Sequence, residues 1–310
     1  MEVIRQPRVP SPMTYLSPKP EGKFVPLSAA YISDTNYLWS LPFQPEPVGI
    51  APDVARFQML SAYNPVGWCI QSTAGTGGTL TVEAAGNSIP YDSDVAAFQV
   101  VVSKTDPEFN TIYVLGTDGK LWLETQPKPN LAPTQVDGNV VAFQAIDESH
   151  AFVLGGDGNL WLENEPWGFL PPRDRVPVAS NVESFQVKDI NNVYLLTSSG
   201  ELALSTSPSW GLGAVIAYPT PWAFEIAPNG VYWITQSGDL YLSSPAAPGE
   251  LWKTSERIDG NVVAIACSQD DPDGLLVLGS NGNLWYEQPG NVQNRIRVAT
   301  EVWTHPPLGM

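Results

Sequence analysis

Cysteine is nearly absent from this 310-residue chain: only Cys69 and Cys267 occur, so a disulfide framework is excluded. The two fall in repeats that are not expected to be neighbours, which argues against even a single bridge. Histidine is equally scarce, with only His150 and His305, and neither stands beside a Gly-x-Ser-x-Gly elbow, a Walker loop, a His-Glu-x-x-His helix or a cysteine pair. Ser-His-Asp chemistry therefore has almost no material to work with. No apolar run approaches the roughly 20 residues needed to span a bilayer, and no charged and then apolar leader opens the sequence. No Asn-x-Ser/Thr acceptor occurs. The expectation is a chain without membrane insertion, in the cytoplasm or released without a standard signal peptide.

Positive charge is also in short supply. Fifteen basic residues face 32 acidic ones, for a net charge of −17, which repels a phosphate backbone and makes nucleic acid an unfavourable partner. The acidic residues are scattered and form no block, as on a large solvated surface.

What the sequence has in plenty is turn chemistry and aromatics. Thirty prolines and 26 glycines interrupt it too often for long helices, while 43% hydrophobic residues suffice for a large core. Three segments share one pattern: Val114-Leu-Gly-Thr-Asp-Gly-Lys-Leu-Trp-Leu-Glu124, Val153-Leu-Gly-Gly-Asp-Gly-Asn-Leu-Trp-Leu-Glu163 and Val277-Leu-Gly-Ser-Asn-Gly-Asn-Leu-Trp-Tyr-Glu287. An apolar run, an Asp-Gly or Asn-Gly pair and a second apolar run predict a β-hairpin, because the glycine accepts the positive φ of the turn. Weaker copies bring the aligned positions to seven: Trp39, Thr81, Trp122, Trp161, Ala203, Tyr241 and Trp285, spaced 38 to 44 residues apart.

A second landmark precedes the hairpin with the same period, as Ala55-Arg-Phe-Gln58, Ala97-Phe-Gln99, Ala142-Phe-Gln144, Ser184-Phe-Gln186 and Ala223-Phe-Glu225. A short strand such as Arg175-Val-Pro-Val178 follows it, giving four strands per unit. Four short strands every forty or so residues are the footprint of a β-propeller blade. The expected fold is all-β, a seven-bladed propeller over residues 24–310, preceded by a proline-rich arm over 1–23. Glu301-Val-Trp-Thr304 is expected to close the ring by joining the N-terminal blade.

The segment Tyr113-Val-Leu-Gly-Thr-Asp-Gly-Lys-Leu-Trp122 resembles the blade signature of tectonin-type propeller lectins, and the pattern is similar to that of bacterial seven-bladed fucose-binding propeller lectins. The resemblance implies a carbohydrate-binding, non-enzymatic protein that holds a glycan or glycoconjugate between blades or on a loop rim, with no cofactor.

The residues themselves suggest where a ligand would sit. Trp122, Trp161 and Trp285 obey the repeat and are read as interblade packing. Trp167, Trp210 and Trp252 do not obey it; they lie in loops after the third strand, so the fold does not require them. With Asn164, Glu165 and Ser209 they are the ligand-binding candidates, the alternative being that these tryptophans cap the gap between blades. Glu83, Glu124, Glu163 and Glu287 recur at one position and read as solvated strand ends. Gln58, Gln99, Gln144 and Gln186, with Glu225, read as hydrogen bonds between adjacent blades. Single carboxylates in the Asp-Gly turns fall short of a calcium loop, so no metal is expected. Two other readings stand beside the lectin: an enzyme (lyase, hydrolase or cyclase) using Asp147, Glu148, Asp189 and Asp270 at the channel mouth, and a protein-interaction scaffold with a protein partner.

Overall fold

A computed structural model describes residues 29–32, 38–41, 48–51, 54–59, 66–71, 78–84, 87–102, 110–126, 133–164, 174–213, 215–227 (apart from 218–220), 229–244, 255–267, 274–287 and 295–299. These residues are built from strands and turns, all strand pairs being antiparallel.

Four sheets are four-stranded blades in simple chain order. They are Val140–Asp147, His150–Gly155, Leu160–Asn164 and Asp174–Ala179; Val182–Asp189, Asn192–Thr197, Leu202–Thr206 and Val215–Ala217; Pro221–Ala227, Gly230–Thr235, Leu240–Ser243 and Glu256–Asp259; and Val262–Cys267, Leu275–Gly279, Leu284–Glu287 and Ile296–Ala299. A fifth blade precedes them, made of 95–102, Asn110–Gly116, Leu121–Gln126 and Thr134–Asp137. We number these five from the one containing Trp122 to the one containing Trp285.

Among the described residues, the expected seven blades are thus corrected to five four-stranded ones. Two of the seven sequence units do not become blades of that kind, for reasons visible in the pairing. Asn87–Val102 runs 16 residues without a break, so Val95 pairs with Gly78 on one side and Gly116 on the other. This joins Val54–Met59, Val66–Gln71 and Gly78–Ala84 to the first blade in one seven-stranded sheet. The most N-terminal unit gives a separate sheet of only three strands, Ala29–Ile32, Leu38–Leu41 and Val48–Ala51. The arm over 1–23 and the closing strand expected at 301–304 lie outside the described residues.

The second strand of each blade is an uninterrupted apolar run. His-Ala-Phe-Val-Leu-Gly, Asn-Val-Tyr-Leu-Leu-Thr and Gly-Val-Tyr-Trp-Ile-Thr are buried on both faces, since each blade is sandwiched between neighbours and the usual alternation is lost. The core is accordingly a series of interblade clusters. Tyr113 and Leu121 of the first blade meet Ala151 and Val153 of the second. Phe152 and Leu160 meet Phe185 and Leu195; Tyr194 and Leu202 meet Phe224 and Trp233; Tyr232 and Leu240 meet Leu275 and Val277.

One rim is stitched by backbone hydrogen bonds. In the hairpin turn Gly116–Gly119, Asp118 accepts the Lys120 amide at 3.0 Å and Gly119 takes φ +75°, a conformation that penalises any side chain. The Gly119 carbonyl then accepts the Val140 amide of the next blade at 2.8 Å, while Gly156 in that blade donates to the Asn139 carbonyl at 2.8 Å. This crossover is gripped from both sides, and the pattern recurs at Asn181 and Asn261. Asp94, Asn139, Asn181 and Asn261 all take φ near +60° there, which suits their short polar side chains.

Candidate functional site

Antiparallel order puts the turn between first and second strands, and the loop between third and outer strands, on the rim opposite the stitched one. On this rim Asp147 accepts the Ser149 amide at 2.7 Å and approaches the His150 ring nitrogen at 2.9 Å. Tyr113 of the first blade donates its hydroxyl to the carbonyls of Asp147 and Glu148, at 3.3 and 3.4 Å. Asp189 in the third blade accepts from the Asn191 amide at 2.8 Å and the Asn192 side chain at 2.9 Å. Both aspartates thus anchor turns. Asp270 lies outside the described residues.

Among the candidates, Asn164 ends the third strand of the second blade and pairs with His150 and Asp174, so it stands at this rim. Trp210 reaches back from the third blade to the second, meeting Phe152 edge-on with ring centroids 6.1 Å apart. It packs on the apolar cluster between those blades, the capping role weighed from the sequence. Ser209 is exposed beside it. Trp167, Trp252 and Glu165 lie outside the described residues. Leu212 of the same loop is 54% exposed, and Val215, 51% exposed, begins the outer strand opposite Ala203.

Three of the four repeated glutamates are not solvated, and the Glu83 side chain lies outside the described residues. Glu124, Glu163 and Glu287 are buried, and Ser205 and Ser243 are buried at the same place in the third and fourth blades. Glu163 holds Arg175 Nε at 2.9 Å, and the same guanidinium crosses to Asp137 of the preceding blade at 2.8 Å. Its carbon lies 4.2 Å over the Trp161 ring. The fifth blade repeats the motif: Arg295 lies 4.4 Å over Trp285, with Asp259 at 3.4 Å and Glu287 at 3.6 Å. Burial and then the neighbouring Asp259 push the Glu287 carboxyl up to about 7, partly offset by Arg295. In the fourth blade Ser243 accepts the Trp233 indole N–H at 3.0 Å and meets Ser255 at 2.7 Å. The signal that would have found these ties is in the sequence: an arginine follows Glu163 by 12 residues and Glu287 by eight, at or just before the start of the next strand.

The innermost strands are tied by a side-chain ladder, as expected. Gln99 accepts the Ala145 amide at 2.7 Å and donates to its carbonyl at 2.8 Å, completing a strand-like pair with the next blade. Gln144 does the same with Val187, at 2.8 and 3.4 Å. Gln186 accepts from Ile226 at 2.9 Å and donates to Glu225 at 2.7 Å. Glu225 takes the next rung with the Cys267 amide, and burial pushes its carboxyl up to about 8 against those two hydrogen bonds. The Gln58 side chain lies outside the described residues. Cys267 is buried and its thiol is in no disulfide.

No protein-family model and no curated protein matches the chain in sequence. Solved structures do match. YCF48 from Cyanidioschyzon merolae superposes with a TM-score of 0.56 at 14% identity, over 80% of this chain and 85% of that one. The structure of YCF48 bound to D1 peptide gives 0.56 at 12% identity, over 94% and 88%. The tricorn protease gives 0.61 at 11% identity, over 97% of this chain but 36% of that one. The fold is a β-propeller. These likenesses carry the propeller architecture and no lectin assignment. Among the described residues, no helix is long and apolar enough to cross a membrane, and no group of three or more His, Cys, Asp or Glu is placed to hold a metal ion.

Proposed function

We propose that this propeller is a protein-interaction scaffold that takes an extended, neutral or basic peptide segment on the rim opposite the stitched turns. The observation that carries this reading is the contrast between the two rims. One is closed by the repeat's own hydrogen bonds, while the other presents Leu212, more than half exposed, beside Ser209 and Trp210, with exposed Val215 on the adjoining outer strand. Exposed apolar side chains next to polar turns suit a protein partner. The net charge of −17 favours a partner that is not acidic. A propeller of similar fold, YCF48, has been solved bound to a peptide.

The glycan reading loses its interblade sites in the second and fifth blades, where Arg175 and Arg295 cover the tryptophan faces a sugar would use. The enzyme reading loses two of its carriers, since Asp147 and Asp189 are engaged in turns. On the scaffold reading, Asn164, Glu165, Trp167, Ser209, Trp210 and Trp252 form the peptide-contacting rim.

The test is a displayed-peptide library screened in parallel with a glycan array. Enrichment of a peptide motif, with binding lost in a Leu212→Lys/Val215→Lys variant of unchanged thermal stability, supports the scaffold. Saturable glycan binding without peptide enrichment overturns it.

A further inference from the structure

The hairpin turns of the first, second and fifth blades share one geometry and differ in one functional group. Asp118, Asp157 and Asn281 each accept, through a side-chain oxygen, the amide two residues on: Lys120 at 3.0 Å, Asn159 at 3.1 Å and Asn283 at 3.1 Å. The glycine that follows takes φ +75°, +76° and +76°. Its amide donates to the carbonyls of Gly116, Gly155 and Gly279 at 3.1, 3.0 and 3.0 Å. Those three glycines donate in turn to the carbonyls of Lys120, Asn159 and Asn283, at 2.9 Å each. These bonds use only the side-chain oxygen of Asn281, so an aspartate fits where the asparagine stands.

Asn281 is also exposed to attack by its own backbone. Asparagine is thermolabile because the next residue's nitrogen can reach its carboxamide carbon, and a following glycine, having no Cβ, leaves that nitrogen unscreened. Asn-Gly occurs twice in the chain, at Asn229-Gly230 and Asn281-Gly282. The crossover asparagines Asn139, Asn181 and Asn261 are each followed by a valine, whose branched side chain screens the nitrogen. Asn229 lies on the other rim, where the matching turns have Ser149 and Asn191, and its Nδ2 donates to the Tyr232 hydroxyl at 3.3 Å. Of the two, only Asn281 has a deamidation product that sister turns already use.

We propose that Asn281 is a self-modification site, deamidating when the fifth blade's hairpin opens and returning to the same turn as aspartate. The Gly282 nitrogen forms a bond to Asn281 Cγ, the Cγ–Nδ2 bond breaks, and ammonia leaves with the Gly282 amide proton. Water then opens the five-membered imide. The closed turn opposes the first step, since the Gly282 N–H is held by the Gly279 carbonyl and Asn281 Oδ1 by the Asn283 amide. Nitrogen and Cγ therefore meet after local opening. Hydrolysis at one imide carbonyl gives aspartate, and at the other isoaspartate, which carries an extra atom in the backbone. Aspartate regains every bond of the turn and adds a second acceptor oxygen. In the second blade that oxygen takes the Asn159 side chain at 2.7 Å, and Asn283 stands at the Asn159 position. Isoaspartate lengthens the path from Gly279 to Gly282 and forfeits the bond between them. Each event adds one negative charge to the stitched rim and leaves a chemical record that this blade has opened. The site is independent of the scaffold reading and of the opposite rim.

The experiment ages the full chain in neutral buffer with and without denaturing urea, and maps the peptide containing Asn281 by mass spectrometry with fragmentation that tells aspartate from isoaspartate. Conversion should be at least roughly tenfold slower in the folded chain than in urea. After the urea-aged sample is refolded and briefly exposed to protease, aspartate should be enriched in the resistant fraction and isoaspartate in the digested one. Asn281→Asp should melt no lower than the wild type, whereas Asn281→Ala, which removes the acceptor of the Asn283 amide, should melt lower. Equal conversion rates with and without urea overturn the proposal. So does a resistant fraction as rich in isoaspartate as the digested one, or an Asn281→Asp variant that melts as low as Asn281→Ala.

Discussion

Glu225 occupies a rung where the three preceding blades use glutamine, and that one atom of difference should be measurable. Its carboxyl titrates near 8 in the folded chain against an ordinary 4.5, mainly because burial disfavours the charged form. A folded-state value raised above the unfolded one means the folded chain holds the proton more tightly. The stability this proton confers is complete below about pH 4.5, declines as the pH climbs, and is lost above about pH 8. The full interval of about 3.5 pH units corresponds to roughly 5 kcal/mol. Glu225 retains part of its accessible surface, however, and solvent there softens the desolvation, so we expect roughly half of that, ~2–3 kcal/mol. Glu225→Gln replaces O–H with N–H₂ and keeps the shape of the rung. Urea unfolding of both proteins between pH 5 and pH 9 should show near-equal stability at pH 5 and a gap of ~2–3 kcal/mol in favour of Gln at pH 9. Hydrogen exchange at the Cys267 amide gives a local check, since its protection should fall with rising pH only in the wild type. Parallel stability profiles across this range would refute the reasoning, and with it the protonated state of Glu225 at neutral pH.

Three further outcomes follow from the ties between blades. Arg175→Ala strands the buried Glu163 and should cost ~3 kcal/mol in urea unfolding, with Glu163→Gln restoring much of the loss in the double variant. Gln144→Leu leaves the Val187 amide and carbonyl without their partner across the blades and should cost ~1–3 kcal/mol by the same assay. Gly119→Ala forces a side chain onto φ +75° and should lower stability by ~1 kcal/mol, read as a fall in melting temperature, whereas Lys120→Ala on the exposed side of the same turn should change little.

The hairpins were legible because their determinants are local: an Asp-Gly or Asn-Gly pair between apolar runs leaves the backbone one favourable route. The glutamine ladder was legible for a related reason, since a polar residue repeating inside an apolar strand needs a partner at the same period. Blade count was not local. Thr81 and Trp39 carry the repeat as well as Ala203 does, yet whether a unit closes as four strands depends on breaks such as the one that Asn87–Val102 omits. The glutamates after Trp122, Trp161 and Trp285 were misread because a charged residue at a strand end is ordinarily solvated; those after Trp161 and Trp285 are met in their buried places by Arg175 and Arg295, a tertiary fact. Trp210 stands outside the repeat, but nothing in its loop shows that it turns inward onto Phe152. Asp147 and Asp189 drew notice as carboxylates at a channel mouth, where the backbone two or three residues on had the stronger claim to them.

The ladder and the outer ties also differ in kind. At the inner ring Gln99, Gln144 and Gln186 offer one interchangeable coupling, so any of these blades could sit beside any other there. At the circumference the couplings are individual: Tyr91 with Glu124, Arg175 with Asp137 and Arg295 with Asp259. A chain whose second and third blades were exchanged would keep every inner rung and lose its fit outside. The circumference therefore acts as an address, recording which blade follows which, and a repeat protein so marked can lengthen by copying a blade only where the copied blade also meets the neighbour its arginine was made for.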